Sequence, residues 1–135
     1  MLYNDRIEKE RISQELKVAY EIQRKLLPQS IAQLDNVQTG FISVPATEIG
    51  GDYYDVFPLS DHRYGVVISD IVGKGISAGL FMATLKSLLH HTLAQYTSTQ
   101  EALNVINKKV YHDPVATKYI PLFYGILDTK KSTFT

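Results

Sequence analysis

Apolar and polar residues alternate along two short runs, Asp52–Phe57 and Arg63–Asp70, separated by the turn-like Pro58-Leu59-Ser60-Asp61-His62. A period of two on both sides of such a spacer predicts an antiparallel β-hairpin. With the pairing centred on Asp61, Asp52 falls opposite Asp70, and Tyr54, Val56, Tyr64, Val66 and Ile68 share one face. Upstream the period changes. From Asn4 or Asp5 to Leu27 there is no Gly or Pro, and Pro28 closes the run, which predicts one long helix. Within it Ile12, Leu16, Ala19, Gln23 and Leu26 alternate steps of four and three, a coiled-coil seam of about two heptads. The plainer alternative is an amphipathic helix folded against its own domain, with Val18 and Ile22, off the seam, as docking residues.

Elsewhere, Val37–Val44 reads as a strand with Val37, Phe41 and Thr39 on one side, ended by Pro45, since proline does not continue a central ladder. Ile76–Leu93 reads as a helix with Leu80, Phe81, Ala83, Leu85, Leu88 and Leu89 on a wide apolar face. Ser98-Thr99-Gln100-Glu101 has the form of a capping box. It opens a helix to Tyr111 with Ala102, Leu103, Ile106 and Val110 inward, broken at Asp113-Pro114. Tyr119–Asp128 reads as a strand, at an edge or bulged because Pro121 lacks a ladder donor. Thr129-Lys130-Lys131-Ser132 is a turn, and Thr133-Phe134-Thr135 starts the partner strand, so the sequence reads as a fragment of a longer catalytic domain. Helix, strand, hairpin, two helices and strand in that order define an α+β class.

Composition narrows the chemistry. At 135 residues the chain is one domain at most. Its 14 Lys and Arg balance 14 Asp and Glu, and no basic cluster marks a nucleic-acid or acidic-lipid surface. Absence of cysteine excludes disulfides and thiolate metal sites. The charged N-terminus is not a secretory signal, and no run approaches the roughly 18 apolar residues of a spanning helix. A cytoplasmic, membrane-free protein is expected.

The candidate chemistry lies where the hairpin ends. Asp52 and Asp70 side by side would repel across the ladder, and burial would raise one pKa. A shared proton, a basic partner or a hard cation would offset this, and an oxygen-rich site favours magnesium or manganese; a register slipped by a residue or more would instead leave one Asp solvated at the strand end. After Asp70, Ile71-Val72-Gly73-Lys74-Gly75 leads into a helix, so Gly51, Gly73 and Gly75 can bring backbone close to an anion and Lys74 can help hold phosphate. A solvated turn is the commoner role for such a lysine. The Gly-Lys pair is not a P-loop, because Gly75 rather than Ser or Thr follows Lys74. No serine sits in a nucleophile elbow. Asp55, of odd parity, is expected to be solvated or helix-facing, and His90-His91 to have a surface or interface role.

Pro45-Ala46, Gly50-Gly51-Asp52-Tyr53-Tyr54-Asp55 and Ser69-Asp70-Ile71-Val72-Gly73-Lys74-Gly75-Ile76-Ser77-Ala78-Gly79-Leu80 resemble the SpoIIE-like sporulation and stress-response branch of the metal-dependent (PPM, 2C-type) protein phosphatases. Glu21–Pro28 resembles the segment entering that domain, and Phe123–Asp128 a later strand. The resemblance implies an α-β-β-α sandwich, with residues 1–28 a linker helix and 29–135 the N-terminal part of the domain. It implies two Mn2+ or Mg2+ ions held through Asp52, Asp70 and the Ile71 carbonyl, activating a water for attack on phosphorus. The implied substrate is a phosphorylated anti-anti-sigma (STAS-domain) protein, and the implied partners are a second copy and an upstream sensor acting through the helix. With later acids missing, weak metal binding and little turnover are expected of the fragment. The competing expectation is a non-enzymatic dimerisation module on a phosphatase-like scaffold.

Overall fold

The computed structural model describes residues 2–30, 33–45, 49–73, 75–114 and 119–135. Its elements are α1 (Leu2–Leu26), β1 (Asp52–Ser60), β2 (Arg63–Asp70), α2 (Ile76–Leu93), α3 (Thr99–Tyr111), β3 (Leu122–Asp128) and β4 (Thr133–Phe134). The strands form one antiparallel sheet in the order β1-β2-β3-β4. One face carries the helices. The α+β class is thus observed, and no helix among the described residues is long and apolar enough to cross a membrane.

The period of two decides which face is covered. Tyr53, Asp55 and Phe57 of β1, Val67 and Ser69 of β2, and Tyr124 and Ile126 of β3 are buried. Against the apolar members of this set pack Ala78, Phe81, Met82, Leu85, Leu89 and Leu93 of α2 and Ala102 and Ile106 of α3. Full burial of one such large side chain contributes about 1.5–3 kcal/mol, so this cluster dominates the fold's stability. The other face is open, with Ile68 and Phe123 more than half exposed. The apolar stripe of α2 is rotated from the predicted one, because Ala78, Phe81, Met82, Leu85, Leu89 and Leu93 form the inward i, i+3, i+4 track. Leu80 and Ala83 therefore face outward.

The hairpin pairs about Asp61 as expected, but β1 continues through Pro58-Leu59-Ser60, with a bulge between Pro58 and Ser60. An edge strand tolerates that proline, whose missing donor faces no neighbour. Residues 38–45 are not the predicted strand; only an isolated Leu34–Val37 bridge forms nearby. Phe41 instead stacks on Tyr54, ring centroids 5.0 Å apart, so the segment crosses the open face rather than lying along the β1 edge. Pro121 is also outside a ladder. It precedes β3, which is an interior strand, and its carbonyl accepts from Asp70 N–H at 3.2 Å and Ser69 Oγ at 2.9 Å.

The long helix docks by its C-terminal turns. Leu26 and Leu27 pack against the core, and Gln23 is buried. Val18 and Ile22, expected to dock, are 57% and 58% exposed, because the inward face passes through Gln23, about 100° away from Ile22 on the helix. Lys86 Nζ on α2 donates to the Leu26 carbonyl at 2.5 Å, capping α1 with a cation where the helix dipole favours one. At the start of α3, Ser98 Oγ accepts from Glu101 N–H at 3.4 Å, which is one of the two bonds of a capping box.

Tyr124 is 6% exposed, and among the described residues its hydroxyl is the buried side-chain polar atom without a hydrogen-bond partner. Burial pushes its phenol up, with Arg63 opposing. A raised folded value means that the contribution of this group is complete below an unfolded tyrosine's pKa of about 10 and is lost as pH rises through the folded value. Tyr124→Phe is expected to leave stability at neutral pH unchanged or up to about 1 kcal/mol higher, having removed an unsatisfied hydroxyl, and to soften the alkaline loss. Urea unfolding at neutral pH and above about pH 10 checks both; a loss at neutral pH would mean that the hydroxyl is paired.

Candidate metal centre

Asp52 opens β1 and Asp70 closes β2, and the ladder sets them directly opposite each other. Their even parity places them on the open face with Tyr54 and Ile68. Both are exposed, so the burial anticipated for the pair is absent, and proximity alone sets their mutual repulsion. A groove of about 630 Å³ between the sheet and residues 39–43 includes both acids, with Phe41, Tyr54 and Ile68 among its walls.

Ile71 follows Asp70 and is 1% exposed, its side chain held in the core. Its N–H donates to the Gly51 carbonyl at 2.8 Å, which ties the end of β2 to the residue before Asp52. Gly51 has a steric reason to be glycine. A Cβ there would overlap the Ile71 carbonyl oxygen and lie 3.8 Å from Asp70 Oδ1. The missing methyl leaves a small cradle bordered by a carbonyl and a carboxylate, with Asp52 across the ladder. This donor set is oxygen only, which fits a hard divalent cation such as Mg2+ or Mn2+ and not a thiolate or imidazole metal. No cluster of three or more Asp, Glu, His or Cys suited to a metal occurs among the described residues.

Beyond Ile71 the chain takes positive φ at its glycines, 138° at Gly73 and 71° at Gly75. Gly75 is the N-cap of α2 and supplies no side-chain bond. Lys74 lies outside the described residues, as do Ala46, Thr47 and Glu48.

Asp55 faces the helices, one of the two placements its parity allowed. What the sequence reading missed is its company. Tyr53 Oη donates to Asp55 Oδ2 at 2.8 Å, His90 Nε2 lies 2.6 Å from the same oxygen, and Lys86 Nζ lies 3.8 Å away. His90 also stacks on Phe57, centroids 4.4 Å apart. The surface or interface role expected for His90-His91 takes a specific form at His90, which is 40% exposed and pins α2 to β1. Lys86 and His90 are four apart on one helix face, a spacing that could have pointed both at a helix-facing acid. Burial, then the Asp55 charge, then their hydrogen bond push the Tyr53 phenol far above its ordinary range.

The fold is that of part of a PP2C-type phosphatase domain. The SiaA-PP2C domain of Pseudomonas aeruginosa matches with a TM-score of 0.69 over 91% of this chain and 51% of that one, at 17% identity, a likeness of fold. Residues 60–135 match the family Stage II sporulation protein E (SpoIIE), and the chain belongs to that family. It is 31% identical over 124 residues to the phosphoserine phosphatase RsbU of Bacillus subtilis (strain 168), covering 92% of this chain and 37% of RsbU. It is also similar to the structure of the RsbU and RsbW domains of Rv1364c from Mycobacterium tuberculosis, with a TM-score of 0.54 and 26% identity over 65% of this chain and 24% of that one. The chain thus spans little more than a third of RsbU.

Proposed function

We propose that this chain carries the N-terminal part, residues 29–135, of a metal-dependent phosphoserine/phosphothreonine protein phosphatase, preceded by a linker helix, residues 1–28. The observation that carries the reading is the Asp52–Asp70 pairing beside the Gly51 cradle and the Ile71 carbonyl. Asp52, Asp70 and the Ile71 carbonyl would hold one or both of two divalent cations, Mn2+ or Mg2+. When bound, such cations supply Lewis acidity to a phosphoryl group and its attacking water.

The chain's own residues do the rest. The ladder sets the two carboxylates opposite each other, the Ile71 N–H bond to Gly51 holds the adjoining backbone, and the positive dipole end of α2 favours an anion nearby. No side-chain nucleophile is required. The phosphorylated protein would be an anti-anti-sigma factor of the STAS class in a partner-switching pathway. Support for this is the resemblance to sigma-regulating phosphatases and the phosphoserine-phosphatase name of RsbU. The family resemblance implies further cation ligands in a later part of such a domain, and the chain covers 37% of RsbU, so this stretch alone would bind metal weakly and turn over little. A second copy and an upstream sensor would act through α1, much of whose N-terminal length stands clear of the domain, with Leu2, Tyr3, Ile7 and Ile12 exposed.

The test is phosphate release from a phosphoserine STAS protein by the intact protein. Release should require Mn2+ or Mg2+ and stop on chelation. Metal-independent release would contradict the reading, and no release with either ion would favour a dimerisation scaffold.

A further inference from the structure

Gln23 is a polar residue buried to 6% exposure on a helix whose other residues are all more exposed. Its amide makes two bonds to a single backbone unit 27 residues away. Nε2 donates to the Gly50 carbonyl at 2.6 Å, and Oε1 accepts from the Gly50 N–H at 3.0 Å. Such a reciprocal pair satisfies both backbone polar groups of Gly50 and holds the two peptide groups that flank its Cα. Gly79 of α2 lies beside the amide: a Cβ there would sit in ordinary van der Waals contact, 3.6 Å from Gln23 Nε2 and 3.4 Å from Ile49 Cγ2.

Gly50 is one residue from Gly51, whose carbonyl holds Ile71 N–H and whose missing side chain makes room for the Ile71 oxygen. Two residues on is Asp52. A displaced Gly50 would therefore shift Gly51, which holds the Ile71 backbone, and the Asp52 carboxylate next to it.

We propose that Gln23 is a positioning residue of the cation site, acting through Gly50 on Gly51 and Asp52; the proposal rests on the cation-site reading above. Outer-shell partners of metal ligands contribute about 10–100-fold to affinity. A neutral amide acting one residue removed from the site belongs at the low end, so Gln23→Met, which keeps length and apolar contact but loses both bonds, should weaken Mn2+ binding by about tenfold.

The experiment titrates Mn2+ into the intact protein and reads free Mn2+ by electron paramagnetic resonance for wild type, Gln23→Met and Asp70→Asn, with unfolding of each followed in chelator. Weakened binding in Gln23→Met with metal-free stability close to wild type supports the proposal. Wild-type affinity in Gln23→Met, with Asp70→Asn weakened, overturns it and leaves the cation site standing. Wild-type affinity in Asp70→Asn overturns the cation-site reading itself. Should Gln23→Met fail to fold, Gln23→Glu decides. It keeps the acceptor for the Gly50 N–H but turns an oxygen toward the Gly50 carbonyl; binding weaker than wild type supports the role, and unchanged binding overturns it.

Discussion

Asp70→Asn is expected to lower Mn2+-dependent phosphate release by about 100-fold or more while the protein keeps its fold. The magnitude follows from comparison. Groups that only orient metal ligands contribute about 10–100-fold, so removing the charge of a direct ligand should cost at least the upper figure. The fold is spared because Asp70 is exposed and its backbone bond runs from N–H to the Pro121 carbonyl, which the substitution leaves in place. Removing one of two like charges facing each other across the ladder also relieves repulsion in the absence of metal. A slight rise in metal-free stability together with collapse of activity is the combined signature, read by calorimetry in chelator and by phosphate release with Mn2+. Activity within a factor of about three of wild type would mean that the pairing has no part in catalysis.

Asp55→Ala should have the opposite profile, a large loss of stability. Asp55 Oδ2 receives the Tyr53 hydroxyl, meets His90 at 2.6 Å and stands 3.8 Å from Lys86. Its removal strands a phenol on a fully buried tyrosine and deprives two basic side chains of their acid. Breaking a buried pair by deleting one partner costs about 3–5 kcal/mol. The His90 and Lys86 side chains are 40% and 28% exposed, so water compensates in part, and about 3 kcal/mol is expected. For a chain of this size that is a fall in Tm of about 10 °C, read by scanning calorimetry. A fall under about 3 °C would show that water replaces Asp55 almost without cost. Asp55→Asn should fall in between, since an amide oxygen can still accept from Tyr53.

These two acids also show what the sequence made legible. A strict period of two, centred on Asp61, was enough to place Asp52 against Asp70 and to turn Asp55 away from them, because a pleated strand leaves only two faces. The helix limits at Ile76, Thr99 and Tyr111 were legible for a similar reason: Gly75, Ser98 and Asp113-Pro114 bound those segments chemically. Long-range choices were not. Residues 37–44 have the composition of a strand, but whether such a run ladders depends on what lies beside it, and Phe41 found the Tyr54 ring instead. Val18 and Ile22 are as apolar as docking residues should be, yet the helix turned Gln23 inward because Gly50 offered that amide a donor and an acceptor together. His90 looked unpartnered in sequence because its acid lies 35 residues away on another element. Periodicity reports which way a side chain points, and it is silent about what waits there.

Mn2+ titrated into the isotope-labelled intact protein, with backbone amide signals followed by NMR, examines the central claim most directly. Paramagnetic broadening should begin at Gly51, Asp52, Asp70 and Ile71, the residues of the cradle and the facing acids. The far end of the hairpin has its own acid and imidazole, Asp35 Oδ2 and His62 Nδ1, 2.9 Å apart. Broadening that begins there, with the cradle signals unaffected, would contradict the account.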